Sequence, residues 1–365
     1  MRALFSVGRG ALLAIAIATV GVVMTAQPAS AHGLGGIEPT NYQSTLLRVQ
    51  PRVPGIELRV VDLGAQLELT NETKQDVVVL GYGDEPYLRV GPRGVFENTR
   101  SPATFINRSA TVAGAAPKSA DANAPPRWKQ VSAGQTAQWH DHRAHFMGTE
   151  APPIVQRNED HSFVFDHWTV TMLHAGQTLT ATGQIAWVPP PSPWPFAIAA
   201  IVLAVAFFAA CRSRWWKQLM AGALVMIVIA EAVHVIGLWD ASTASAGTKL
   251  VQSAYSLGGI ALGVLALVWM VRRGANAAVP LILVAAIVLV VAGGLSDVTS
   301  LGRSLLPTTL PFTVARVLIT LTLGIGVGLA ASAAARLRAS SPRRPTRRPS
   351  IPAATPTESP AAATS

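Results

Sequence analysis

Two hydrophobic rhythms divide this chain near residue 190. Before that point apolar and polar residues alternate in short runs. Ile56-Glu57-Leu58-Arg59-Val60 and Gln66-Leu67-Glu68-Leu69-Thr70 keep the period of two expected of half-buried strands. Val77–Leu80 predicts a more buried strand, and Tyr87–Val90 with Val95-Phe96 predicts two strands about the turn Gly91–Gly94. Phe163–Met172 and Leu179–Val188 predict two later strands. Gly81–Asp84 is turn chemistry, and residues 98–128, rich in Ala, Pro, Asn and Ser, predict a long loop. No stretch here has a good amphipathic helical period, so residues 32–188 are expected to form one antiparallel β-sandwich.

The alternation stops at Pro189–Pro193, a short stiff linker. Five apolar runs follow: Trp194–Ala210, Leu219–Leu238, Ala254–Val271, Ala277–Gly294 and Phe312–Ala334. Each is long enough, or nearly so, for a helix crossing a hydrocarbon core of about 30 Å. The fold class expected is therefore an extracytoplasmic all-β sandwich domain followed by an all-α five-helix transmembrane region, residues 194–335. Residues 336–365, built of Pro, Ser, Thr, Ala and Arg, read as a disordered basic cytoplasmic tail. Residues 1–31 read as a signal peptide, with Arg2 and Arg9 ahead of the apolar run Ala11–Val23 and the cleavage pattern Ala29-Ser30-Ala31.

Charge changes the picture by its placement. The formal net charge of +10 invites a nucleic-acid partner, but residues 32–190 hold 13 Lys and Arg against 15 Asp and Glu. The excess sits beyond residue 190, at 14 against 4. Arg212, Arg214, Lys217, Arg272 and Arg273 fall in loops that become cytoplasmic if the β half is outside, as do Arg336 and Arg338 in the tail. The opposite loops contribute Lys249 and Arg303. This is the positive-inside pattern of a plasma-membrane protein with its large domain extracytoplasmic, and it argues for a lipid bilayer and against nucleic acid as partner. The single cysteine, Cys211, excludes an internal disulfide framework, a Cys-rich zinc site and a redox pair. No nucleophile elbow, phosphate loop, paired catalytic carboxylates or His-Glu-x-x-His pattern is present. Asn71-Glu72-Thr73 fits the glycosylation pattern, a weak three-residue match.

The histidines carry the candidate chemistry. Seven of 8 lie between His32 and His174, and three are packed into Trp139-His140-Asp141-His142-Arg143-Ala144-His145-Phe146-Met147. Cleavage after Ala31 would make His32 the mature N-terminus, where the free amine and ring Nδ1 together chelate Cu(II) well. If residues 138–142 are extended, His140 and His142 share a face, and a bend at Arg143 folds His145 back towards them. The candidate metal ligands are thus His32, His140, His142 and His145, with Asp141 holding a ring N–H and Met147 adding a thioether at the edge. His161 and His167 share parity with Phe163 and Phe165 and read as core and core edge, whereas His174, near a turn, reads as exposed. A second cluster is intramembrane: Glu231 and His234 stand one helical turn apart, with Asp297 entering from the fourth apolar run, as a metal- or proton-handling site or a structural Glu–His hydrogen bond.

The Ala-Ser-Ala-His junction, the Trp139–Met147 block, Pro191-Ser192-Pro193-Trp194-Pro195-Phe196 and the five trailing runs resemble a family of actinobacterial exported five-span membrane proteins of unknown function. A processed N-terminal histidine on a β-sandwich is also similar to extracytoplasmic copper carriers of the copper-resistance protein C type. That likeness implies copper as cofactor, with zinc as the alternative ion, and a copper donor or acceptor protein as partner. The function expected is a membrane-anchored metal-binding protein for copper handling or trafficking. The alternatives are a non-metal envelope scaffold or partner-binding module, and a His-metal hydrolase for which no general base is evident. Enzymatic activity is not indicated.

Overall fold

The computed structural model describes residues 37–108, 116–148 and 150–340. The signal-peptide reading, His32 and residues 341–365 lie outside them. An N-terminal β region is followed by a C-terminal helical region.

Ten strands form the β region: β1 (Tyr42–Gln50), β2 (Ile56–Val61), β3 (Gln66–Asn71), β4 (Val77–Leu80), β5 (Pro86–Gly91), β6 (Gly94–Asn98), β7 (Trp128–Ser132), β8 (Thr136–His140), β9 (Phe163–His174) and β10 (Gln177–Trp187). All pairings are antiparallel. One sheet has the order β1-β10-β9-β4-β5-β6-β7, and a smaller one has β2-β3-β8. Both sheets contribute to one core: Leu67, Leu69 and Trp139 from the smaller, Val79, Val90, Trp168, Val170, Met172 and Leu179 from the larger. Burying an aliphatic side chain of this size contributes about 2 kcal/mol.

The predicted strands are found, and β1 and β7 are added to them. β1 was hidden by Leu46-Leu47, where a register shift breaks the alternation. Two short helices, α1 (Pro102–Ile106) and α2 (Pro153–Gln156), replace an all-β expectation. Ser101 caps α1 by accepting from the Ala103 N–H, and a single helical turn is too short to announce itself by periodicity. At the β9–β10 hairpin, Ala175 and Gly176 adopt φ of 50° and 77°, the mirror-image geometry that two-residue hairpin loops favour.

The helical region contains α3 (Trp194–Ala210), α4 (Trp216–Ala241), the short α5 (Ala246–Gln252), α6 (Ala254–Arg273), α7 (Ala275–Leu289) and α8 (Phe312–Ser340). α7 continues as a π-helical segment, Val290–Leu295, then a 3-10 turn, Val298–Gly302. Four helices are long and apolar enough to cross a membrane: α4, α6, α7 with its continuation, and α8. This associates the protein with a bilayer. α3, at 17 residues, is shorter. It lies against Gly324 and Gly328 of α8, where an added Cβ would stand 2.7 Å from the carbonyl oxygens of Ala200 and Ala204. Small residues four apart allow such backbone approach in lipid. α8 runs on to Ser340, past the expected tail boundary at 336, because Arg336 donates to the Cys211 carbonyl at 2.7 Å and covers the Trp216 ring at 3.7 Å.

The helix ends away from the β region carry Arg212, Arg214, Lys217, Arg272, Arg273, Arg336 and Arg338. The opposite ends touch the β region directly. Thr40 and Leu305 form an isolated bridge. Asn41 Oδ1 accepts from Ser304 N at 2.9 Å, and Ser304 Oγ donates to the carbonyls of Val188 and Pro189. Thr243, just after α4, donates to Asp62 Oδ2 at 2.9 Å.

Candidate functional site

β8 ends at His140, which pairs with Gln66 at the edge of the smaller sheet. The chain then turns instead of continuing extended to residue 142. Asp141, whose side chain is fully buried, makes the turn: its Oδ1 accepts from the backbone and Nε of Arg143, and its Oδ2 accepts from Trp139 Nε1 at 2.9 Å and Arg143 Nη2 at 2.8 Å. Asp141 thus serves the turn through Trp139 and Arg143. Arg143 reaches across to the carbonyls of Leu80 and Gly81 and lies over the Tyr82 ring at 5.0 Å. Tyr82 Oη accepts from the His142 N–H at 3.0 Å and donates to Asn107. A neutral, desolvated hydroxyl results, and burial lifts its pKa well above that of free tyrosine.

This clamp brings the three histidines together. The His140 ring centroid is 5.2 Å from that of His142 and 5.3 Å from that of His145, both edge-on. The three rings are brought together by the turn Asp141–Ala144, with His142 and Arg143 at its centre, rather than by strand parity. The His140 and His145 rings also make hydrogen bonds with backbone carbonyls of the Asp62–Ala65 turn, at Ala65 and Gly64 respectively. His140 Nε2 is buried and has no hydrogen-bond partner. Burial, then the neighbouring His145 and His142, push the His140 pKa down to about 4. Burial, then His142, lower that of His145. His140 is therefore neutral at physiological pH, the state in which imidazole nitrogen ligates a metal. Met147 is half-buried two residues beyond His145. Among the described residues no three His, Cys, Asp or Glu side chains are placed so that one ion could be held by all of them.

The other histidines depart from expectation. His167 is exposed because β9 bulges at Phe165: Asp166 pairs with Ile185 and Val164 with Ala186, so facing parity reverses there and Trp168, Val170 and Met172 take the core. His161 is exposed before β9 begins. His174 is buried, with Nδ1 3.3 Å from the Asp76 carbonyl oxygen.

Glu231 and His234 are buried on α4 at 1% and 5% exposure. His234 Nε2 lies 3.3 Å from Asp297 Oδ2, within ion-pair distance yet off the line of a hydrogen bond. Ser256 of α6 hydrogen-bonds Glu231. The Glu231 carboxyl lies where a Cβ on Gly293 would stand. No direct Glu231–His234 hydrogen bond forms, since Glu231 Oε1 and both His234 ring nitrogens lack partners.

Sequence reasoning placed a bend at Arg143 but not the contacts of its side chain, and it missed Tyr82, Ser256 and Gly293. The only signal for Tyr82 was its place in a turn, which says nothing of what that turn touches. Comparison of the chain with protein-family models, curated proteins and solved structures returns no match.

Proposed function

We propose that the β region lies outside the cell and binds a transition-metal ion through imidazole nitrogens, copper suiting this donor type best and zinc next. The observation that carries this reading is His140 Nε2: a buried, neutral, unpartnered lone pair with two further imidazoles at about van der Waals range. An unpaired buried polar atom costs roughly 1–3 kcal/mol, and a metal is the partner that a second and third imidazole would share. The described donors stop short of a closed set, so the site needs a rotation of His142 or His145, or a further donor, for which a processed His32 is the candidate. An outside β region agrees with the arginine-rich helix ends on the opposite side. The role that follows is handling or trafficking of copper at the membrane surface, in exchange with a donor or acceptor protein.

The test is Cu(II) titration of the purified full-length protein, processed at His32, followed by electron paramagnetic resonance. One equivalent with nitrogen hyperfine structure, weakened by His140→Asn, supports the site. Equal affinity for wild type and variant sinks it. A single residue added ahead of His32 separates the two donor sets, since it removes the chelating amine and leaves the loop histidines untouched.

A further inference from the structure

The helical region holds a second group of ionisable side chains that the metal reading does not use. Glu231 and His234 project from α4, Asp297 from the end of the π-helical segment, and Ser256 from α6. Glu231 Oε1 and His234 Nδ1 are buried without partners. His234 and Asp297, but not Glu231, line a cavity near the size of one water, to which Leu306, Pro307 and Thr308 also contribute. Among the described residues the buried Arg or Lys is Arg316 of α8, which donates to the carbonyls of Ser300 and Arg303. Lys249 is bonded to the Trp239 carbonyl near the surface, where Asp240 is exposed.

Two carboxylates and one imidazole therefore lie together, Asp297 being partly exposed, and among the described residues the only cation within ion-pair distance of either carboxylate is His234 itself. Ionised groups so placed in a membrane are costly unless paired. A metal would need several converging donors to share one ion. A proton needs no cage. Gly293 sharpens the point, because the carboxyl of Glu231 rests directly against its Cα and any Cβ would displace it. A π-helical segment, a common device where a helix must make room for a site, presents that glycine.

We propose that Glu231, His234 and Asp297 form a proton-binding site that exchanges with the β-facing surface through the cavity under Leu306–Thr308. The proton arrives on water, bonds to a carboxylate oxygen or to the imidazole shared with Asp297, and leaves by the same path; nothing is oxidised or reduced. The loop that lines the cavity at Leu306–Thr308 also carries Ser304, the residue bonded to Asn41, so the site sits next to the attachment of the β region.

Dicyclohexylcarbodiimide, which modifies protonated carboxyls in apolar surroundings, tests this on the metal-free full-length protein in lipid nanodiscs. Peptide mass spectrometry should find Glu231 or Asp297 modified, with a rate falling at least about tenfold as pH is raised from about 5 to about 9. His234→Gln should displace the midpoint of that profile by about one unit, as loss of a neighbouring ionisable group does. No modification of either carboxyl in the wild type, or a rate indifferent to pH, overturns the proposal without any variant having to fold. A midpoint unmoved by His234→Gln in a protein that still elutes as a single folded species overturns the shared site. Because no copper is present, failure here leaves the histidine site untouched.

Discussion

His140 shows how a single position can be set for a ligand by what it lacks. Its ring is held from one side by the Ala65 carbonyl and crowded by two other imidazoles, while Nε2 meets nothing. His140→Asn is expected to weaken Cu(II) binding by at least about tenfold, measured by competition titration. The same environment makes the metal-free protein acid-sensitive. The folded pKa of about 4 lies below the ordinary 6.5, so between these values the unfolded chain binds a proton that the folded chain refuses. Stability is therefore complete above about 6.5 and declines as pH falls towards about 4, by on the order of 1–2 kcal/mol once solvent screening is allowed for. Urea melts of wild type and His140→Asn across that window check it: the variant should lose part of the slope. Asn71 teaches a different lesson. Its glycosylation-like setting is structural, since Nδ2 donates to the Gln75 and Val90 carbonyls and Oδ1 accepts from Thr73. Asn71→Ala should cost about 2–3 kcal/mol in a thermal or denaturant melt. Three residues in a row name a motif, but only burial distinguishes a modification site from an internal brace.

At the scale of elements, alternation located β2 and β3 closely because the two pair in register along their whole length. β9 defeated the same logic. One bulged residue, Phe165, reverses which face is buried, so parity counted from Phe163 misplaces His167. Beyond the bulge Trp168 lies over Gly183 of β10, where an added Cβ would meet the indole and the Thr45 carbonyl. Gly183→Ala should therefore destabilise the β region by about 1–3 kcal/mol, read as a lower urea midpoint with unchanged slope. In the helical half, length and apolarity located the runs, yet no periodic count could reveal that the end of α7 widens into a π-helical segment at Gly293. Within that segment the Glu231 carboxyl, arriving from another helix, takes the space a Cβ on Gly293 would need.

The whole molecule is joined by polar contacts at one face: Asn41 with Ser304, Thr40 with Leu305, and Asp62 with Thr243. The Asp62–Gly64 turn that meets Thr243 also supplies, through Gly64 and with Ala65 next in sequence, the carbonyls bonded to His145 and His140. The histidine group is thus one turn away from the helical region. Asn41→Ala should loosen this joint, giving faster amide exchange over residues 303–309 and faster proteolysis within 189–193, with β-region exchange elsewhere unchanged. Equal exchange in both proteins would assign the joint to the remaining contacts.

The order of two unlike halves, the strand and helix runs and the charge asymmetry were determined by the sequence alone, since period, length and charge are properties of neighbouring residues. The crowding of His140, His142 and His145 was half legible, from their spacing within six positions. What the tertiary structure decided is the partner of each buried group. Tyr82 and Arg143 set the histidine turn, Gly293 admits Glu231, and Asp297 faces His234, each pair coming from segments far apart along the chain. Such pairs follow from packing and desolvation in three dimensions, which no local pattern encodes.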